Sequence, residues 1–170
     1  PAVIGGGATA ISALTALHKL GYRRASVYAR SLHKLGSVQE AAERLGVQLS
    51  TVALAEFPAE QKARRHNPVI STLPARAADE WASQLSGLKG ASATHQPVLL
   101  DVAYNPWPSV LASAWEANGG TVVSGLEMLL YQAVEQVLLF TDRTLSEGEL
   151  LGLVNAMCAA VDLAPRASVS

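Results

Sequence analysis

Short runs of β-branched and apolar residues alternate with helical patterns along most of the chain. The runs with strand character cover residues 2–4, 25–28, 47–52, 69–70, 98–101 and 121–123. The helical patterns between them cover residues 8–20, 38–45, 77–85 and 110–118. Parallel strands need a crossover connection, usually a helix, so this alternation is typical of βαβ units. It predicts an α/β fold with a Rossmann-like, doubly wound parallel sheet of about six strands.

The alternation ends near Gly125, where two helical segments follow each other without a strand between them. Ser146 and Glu149 have the spacing of a capping box at the start of the second segment. We predict a dinucleotide-binding domain over residues 1–124 and a helical pair over residues 125–164 that packs towards another domain. Residues 165–170 are expected to fray. Because residues 1–4 resemble the end of a strand, we expect the chain to be part of a longer protein.

Composition excludes several classes of partner. The net charge is -1 and charged residues make up 16% of the chain, which favours neither nucleic acid nor an anionic membrane surface. The most apolar helical stretch, residues 128–140, is interrupted by Gln132 and Glu135, so no membrane span is expected. The single cysteine, Cys158, lacks neighbouring Cys or His residues at metal-ligand spacing. We expect a cytoplasmic protein without a metal site.

Three consecutive glycines follow the first strand and precede the first helix. Gly5, Gly7 and Ala10 have the spacing G-x-G-x-x-A, which is typical of a dinucleotide-binding turn. The first glycine allows a sharp turn, the second leaves room for a pyrophosphate, and the small third residue lets helix and strand pack closely. The N-terminus of a helix starting near Ala8 would attract the anion. A glycine-rich turn without a ligand is the alternative.

The end of the second strand carries basic rather than acidic residues. NAD-binding units place a carboxylate about 20 residues beyond the glycines, where it binds the ribose hydroxyls. Here the sequence continues with Arg30 and Lys34, and no carboxylate is present. A guanidinium group binds a phosphate in bidentate fashion, so this loop predicts NADP as the cofactor. A solvated basic loop is the alternative.

Four motifs in this order and spacing carry a family resemblance: GGGATA, ARSLHK, DVAYNP and GLEMLLYQAVEQ. Over about residues 2–142 they resemble the C-terminal half of the shikimate dehydrogenases. The resemblance implies reversible reduction of 3-dehydroshikimate to shikimate with NADPH, in the biosynthesis of chorismate and the aromatic amino acids. The chain departs from the family's pattern at Ala8, which replaces a glycine, and at residues 106–111, which lack the usual threonine–proline pair.

The resemblance also assigns residues to the cofactor and the substrate. It implies cofactor contacts from Gly5, Gly6, Gly7, Ala8 and Thr9 at the phosphates, from Ala29, Arg30, Ser31 and Lys34 at the 2′-phosphate and adenosine, and from Val102 and Gly125 at the nicotinamide. Tyr104 and Gln132 match residues that touch shikimate. The family's catalytic lysine and aspartate belong to an N-terminal substrate domain, and no lysine here falls in a matching motif. No catalytic residue is therefore expected in this chain.

Other interpretations stay open at this stage. A paralogue that acts on quinate or an aminoshikimate has the same architecture, and so does a nucleotide-sensing module without turnover. Tyr104 and Gln132 favour an enzyme, because a sensor needs no polar groups directed at a second domain. Tyr104 could also be a packed aromatic residue, and Gln132 could be satisfied by a neighbouring backbone group. Asp101, at the end of the fifth strand, is expected to bond nearby backbone amides rather than to act in catalysis.

Overall fold

The computed structural model describes residues 1–64, 66–85 and 96–168. Six strands form one sheet in the order β3-β2-β1-β4-β5-β6, and every neighbouring pair is parallel. The strands are β1 (Ala2–Ile4), β2 (Arg24–Ala29), β3 (Gln48–Ala53), β4 (Val69–Ser71), β5 (Val98–Asp101) and β6 (Thr121–Ser124). The chain runs outwards from β1 to β3, then returns to the other side of β1. This reversal confirms the doubly wound α/β fold and places the topological switch point between β1 and β4.

Helices connect the strands and follow the last one. They are α1 (Ala8–Lys19), α2 (Gly36–Leu45), α3 (Phe57–Arg64), α4 (Asp79–Ala82), α5 (Val110–Ala117), α6 (Gly125–Thr141) and α7 (Glu147–Ala160). Helix α3 is not among the helical patterns predicted from the sequence, because Phe57 is its only large apolar residue. The helix predicted over residues 77–85 is too long: α4 has four residues and no side-chain cap at its start. The small and polar residues of the stretch 83–96 predict a surface loop, and most of this stretch lies outside the described residues.

The strands bury alternate residues on the two faces of the sheet. On one face, Val3, Val27 and Ile70 pack in a cluster with residues of α1 and α2. On the other face, Ile4 and Tyr28 pack in a cluster with residues of α3, α4 and α5. All three residues of β1 are fully buried, as expected for a central strand of a sheet covered on both faces.

A polar cluster lies at the edge of this second core cluster. The hydroxyl of fully buried Tyr28 donates to Glu60 Oε2 at 2.7 Å and lies 2.7 Å from His66 Nε2. The Tyr28 and His66 rings also make an edge contact. His66 lies in the connection between α3 and β4 and is half-buried. It stands beside the phenol of Tyr28, which needs a polar partner because its ring is buried.

The Cα positions divide the chain into two compact units, residues 1–125 and 126–170. The division into domains at residues 124 and 125 stays a prediction. In the second unit, α6 and α7 pack through Leu130, Val134, Val154 and Cys158. Among the described residues, no helix is long and apolar enough to cross a membrane.

Arg166 ties the end of the chain to the second unit. Its backbone N–H donates to Asn155 Oδ1 at 2.7 Å, and its carbonyl accepts from Asn155 Nδ2 at 3.2 Å. Its guanidinium forms an ion pair with Glu127, and this contact raises the pKa of Arg166 above its ordinary value. The expectation that residues 165–170 fray is thus wrong at Arg166, because these polar partners satisfy its backbone and its charge.

The predicted capping box at α7 is confirmed. Ser146 Oγ accepts from the Glu149 N–H, while Glu149 Oε2 accepts from the Ser146 N–H at 2.9 Å and from its hydroxyl at 2.7 Å. The pKa of Glu149 is lowered, mainly by the hydrogen bond from the Ser146 hydroxyl and to a smaller extent by the one from the Ser146 N–H. Because the folded-state pKa is depressed, this stabilisation is present above the usual pKa of a glutamate and is lost as the pH falls through the lowered value.

We expect Ser146→Ala to lower the melting temperature by about 2–4 °C at neutral pH, since a lost N-cap costs about 1 kcal/mol. The difference from wild type should shrink in acid, where protonation of Glu149 already weakens the box. Thermal unfolding followed by circular dichroism at neutral and acidic pH checks both parts. Equal melting temperatures for the two proteins at neutral pH would contradict a stabilising role for the box.

Candidate functional site

The turn between β1 and α1 depends on the backbone freedom of Gly5. Gly5 is buried with φ at +115°, a conformation that favours glycine. Its N–H donates to the Tyr28 carbonyl at 2.8 Å. A Cβ on Gly5 would lie against the side chain and carbonyl of Thr72, whose N–H and hydroxyl donate to the Ile4 carbonyl at 2.7 and 3.0 Å. The glycine therefore lets the turn lie directly against the residue that follows β4.

The next two glycines bring the turn next to the β2–α2 connection and leave its outer face open. A Cβ on Gly6 would meet the side chain of Leu35 and would lie 3.5 Å from Ala29 Cβ. Gly7 is exposed, and a Cβ there would have no atom within 4 Å. It is the N-cap of α1 and supplies no side-chain hydrogen bond, so the N-terminus of this 12-residue helix faces outwards uncapped. Such a terminus attracts an anion.

Basic side chains surround the end of β2. Ala29 ends the strand and is buried, Ser31 is half-buried, and Arg30 and Lys34 are exposed. Neither the Arg30 nor the Lys34 side chain forms a hydrogen bond or ion pair with the residues that the structure describes. Since Gly6 contacts both Ala29 and the β2–α2 connection, these cations belong to the same edge of the sheet as the glycine turn. The structure thus brings the predicted phosphate-binding residues together.

The loop after β5 forms the other half of this edge. The Val102 N–H donates to the Ser71 carbonyl at 3.0 Å, and the Gly125 N–H donates to the Ala103 carbonyl at 3.2 Å. A Cβ on Gly125 would overlap the carbonyl of Val102, so only glycine permits this approach. The two residues that the resemblance placed beside the nicotinamide are therefore neighbours in the fold.

Asp101 closes the loop that carries Tyr104. Its side chain is 3% exposed; Oδ1 accepts from the Ala103 N–H at 3.3 Å and Oδ2 accepts from the Ser109 hydroxyl at 2.6 Å. Ser109 Oγ in turn accepts from the Ala112 N–H at 2.9 Å and caps α5. This confirms that Asp101 bonds a nearby backbone amide, and the bond to Ser109 was not anticipated. The carboxylate holds both ends of the loop of residues 102–108.

Known structures share this arrangement. The chain matches the crystal structure of Mycobacterium tuberculosis shikimate dehydrogenase at 35% identity with a TM-score of 0.74, over 95% of this chain and 55% of that one. It matches a shikimate 5-dehydrogenase from Mycobacterium fortuitum at 32% identity with a TM-score of 0.70, over 89% and 54%. The chain is similar to shikimate dehydrogenases in both sequence and fold. It spans about half the length of these enzymes.

The chain is also similar to part of a much longer polypeptide. The chain is 30% identical over 167 residues to the pentafunctional AROM polypeptide of Schizosaccharomyces japonicus, which is 92% of this chain and 10% of that polypeptide. No family model matches the chain. Two shikimate dehydrogenases that share the fold at lower identity were solved with shikimate and a dinucleotide: NADP(H) in the Thermus thermophilus enzyme and NAD in the Listeria monocytogenes enzyme.

The two residues that the resemblance assigns to shikimate are both exposed. Tyr104 is 54% exposed in the loop after β5, so it is not a packed core aromatic. Gln132 is exposed on α6. Neither side chain forms a hydrogen bond within the described part of the chain, so a neighbouring backbone group does not satisfy Gln132. Both polar groups are accessible to a ligand.

Thr72 makes a contact at this edge of the sheet that the sequence did not specify. It follows β4, and its N–H and hydroxyl fix the carbonyl of Ile4, the last residue before the glycine turn. Its position after a buried strand was the available signal, because the switch point of such a sheet lies between β1 and β4. Among the described residues, no three His, Cys, Asp or Glu side chains are grouped as metal ligands.

Proposed function

We propose that this chain binds NADP and acts as the cofactor-binding part of a shikimate dehydrogenase. The enzyme would reduce 3-dehydroshikimate reversibly to shikimate with NADPH, within the shikimate pathway. The observation that carries the proposal is the uncapped N-terminus of α1 at Gly7, which adjoins a loop bearing the exposed cations Arg30 and Lys34. Uncapped N–H groups suit a pyrophosphate, and the cations suit an additional phosphate on the adenosine ribose.

The phosphate-binding residues divide into two groups. The first group shapes the pyrophosphate site, and it consists of Gly5, Gly6, Gly7, Ala8 and Thr9. The second group recognises the 2′-phosphate and adenosine, and it consists of Ala29, Arg30, Ser31 and Lys34. Only the second group can distinguish NADP from NAD, because both cofactors contain the same pyrophosphate.

The nicotinamide would lie beside Val102 and Gly125. The missing Cβ of Gly125 lets the start of α6 contact the Val102 carbonyl, so the loop after β5 and the start of α6 together form a compact backbone surface. The cofactor, when bound, supplies the hydride that is added to the substrate carbonyl carbon. The protein's contribution here is orientation, since a small misplacement of reacting atoms strongly lowers the rate.

Tyr104 and Gln132 would bind the substrate, and a second domain would supply proton transfer. Their exposure and lack of partners within the described residues support this, and they argue against a sensor without a substrate. The second unit also carries an apolar groove of about 340 Å³, lined by Leu126, Leu129, Leu130, Ala133, Met157, Ala160 and Val161. We propose that this groove is covered by the substrate domain, because apolar surface of this kind favours burial.

The glycine at position 7 provides a test of the phosphate site. We expect Gly7→Val to fold normally, because its Cβ meets no atom and its φ of -92° suits any residue. The variant should nevertheless lose most of its affinity for NADPH, since a branched side chain occupies the space above the α1 N-terminus. Binding is measured by NADPH fluorescence, and folding by the melting temperature.

Gly148→Val is the matched control, because a Cβ on Gly148 also meets no atom within 4 Å but lies on α7. It should bind NADPH as tightly as wild type. If Gly7→Val bound NADPH with wild-type affinity, the β1–α1 turn would not be the phosphate site. A wild-type protein that bound no dinucleotide would overturn the proposed function itself.

A further inference from the structure

A small, partly open cavity lies where β4 and β5 end. Its volume is about 10 Å³, and its lining includes Ser71, Asp101 and Ser109. Ser71 is 1% exposed and Asp101 is 3% exposed, so these two residues are withdrawn from bulk solvent. A cavity of roughly 10–15 Å³ holds one water molecule if polar groups surround it.

Ser71 contributes a hydroxyl without a protein partner. Its Oγ is buried and forms no hydrogen bond with the described residues. Ser71 and Asp101 are register partners in the parallel β4–β5 pair, so their side chains point to the same face of the sheet. A buried hydroxyl without a partner is costly, and such groups in proteins are usually satisfied by ordered water.

Asp101 has acceptor capacity left over. Its two oxygens accept one hydrogen bond each, and the bond from the Ala103 N–H is long at 3.3 Å. An ionised carboxylate can accept about four. Arg76 lines the same cavity, but it is 79% exposed and its nearest ion-pair contact is Asp79 at 3.9 Å. No ion pair to Asp101 exists among the described residues, so the carboxylate can take a further donor.

We propose that one buried water molecule bridges Ser71 Oγ and the Asp101 carboxylate. The water donates one hydrogen bond to the Asp101 carboxylate and forms a second hydrogen bond with the Ser71 hydroxyl. Both residues also hold the start of the loop after β5: the Ser71 carbonyl binds the Val102 N–H, and Asp101 binds the Ala103 N–H. Through the water, the Ser71 hydroxyl orients the Asp101 carboxylate that accepts from the Ala103 N–H. Ser71 is therefore a positioning residue for the backbone beside the nicotinamide, a consequence that rests on the proposed function.

Whether the water bridge exists decides whether removal of the Ser71 hydroxyl lowers or raises the melting temperature. Ser71→Ala should lower the melting temperature by about 2–4 °C, because it removes a hydrogen-bonded group. If the hydroxyl had no partner, its removal would leave the melting temperature unchanged or raise it, and the bridge would be refuted. Ser113→Ala, which removes an exposed hydroxyl on α5, is the matched control and should not lower it.

A double substitution tests whether the two groups share one water. Asp101→Ala removes both acceptor oxygens of the carboxylate, and it should lower the melting temperature by itself. Ser71→Ala combined with Asp101→Ala should cost less than the sum of the two single changes, since each removes the same bridge. Additive changes would contradict a shared water. A crystal structure should show water density within hydrogen-bonding distance of both groups, and its absence would also count against the bridge.

Ligand binding shows whether Ser71 positions the loop beside the nicotinamide or only stabilises the fold. Ser71→Ala should weaken NADP binding about threefold, while binding of adenosine 2′,5′-bisphosphate, which lacks the nicotinamide half, stays unchanged. Equal weakening of both ligands would contradict a positioning role at the nicotinamide. If wild type bound neither ligand, the proposed function would fail, but the melting temperatures would still decide whether the water bridge exists.

Discussion

Under the proposed function, the 170-residue chain alone should bind NADP but show no shikimate-dependent reduction of it. Oxidation of the substrate hydroxyl requires a base positioned to remove its proton, and general acid–base catalysis contributes about 10²–10⁴-fold. No lysine of this chain lies in a motif that matches the family's catalytic pair. If a second domain supplies proton transfer, as we propose, turnover by this chain alone should fall below detection. NADPH fluorescence in the presence of saturating shikimate provides the measurement.

Co-expression with the substrate domain of a shikimate dehydrogenase is the positive control for this experiment. Turnover should appear if that domain covers the apolar groove of the second unit and completes the substrate site. In the reassembled enzyme, Tyr104→Phe should raise KM for shikimate, because it removes a hydroxyl that the substrate can bind. Turnover by the purified chain alone would contradict the assignment of proton transfer to another domain.

The features that could be predicted from the sequence are those that depend on the backbone preferences of a few neighbouring residues. Alternating strands and helices allow few arrangements other than a parallel sheet with crossovers, and this arrangement was found. The positive φ of Gly5 and the capping box at Ser146 also follow from local sequence. Such features need no knowledge of distant residues, because each is determined by a few neighbouring groups.

The features that the sequence could not predict depend on distant contacts. Helix α3 is held in place by Phe57, which packs edge-on against Tyr28 and Trp81, residues far apart in the chain. The role of Thr72 appears only when β4 lies beside β1, since its partner is the Ile4 carbonyl. Likewise, the Ser109 hydroxyl reaches Asp101 only because the loop between them folds back. Tertiary structure determines each of these contacts.

Arg30→Ala should abolish most of the preference for NADP over NAD. A charge-assisted hydrogen bond contributes about 1.5–3 kcal/mol, and the exposed Arg30 should give the lower end of that range. Together with Lys34, this predicts that wild type prefers NADP by about one to two orders of magnitude. The preference should fall as salt is raised, since exposed charges are screened. Binding of NAD should stay nearly unchanged in the variant.

Arg44→Ala is the matched control for this substitution. Arg44 is also an exposed arginine, but it lies in the last turn of α2 rather than before the helix. Its removal should leave both affinities unchanged. If Arg44→Ala reduced NADP binding as much as Arg30→Ala does, the preference would come from general positive charge and not from the loop after β2.

Calorimetric titration of NADP and of NAD into the wild-type chain tests the central claim most directly. The cofactors differ only in the 2′-phosphate, so the ratio of their dissociation constants isolates the contribution of the Arg30 loop. We expect NADP to bind about 10–100 times more tightly than NAD at low salt. Equal affinities would show that the loop does not recognise the phosphate, and an NAD-using quinate-type paralogue would then describe the chain better.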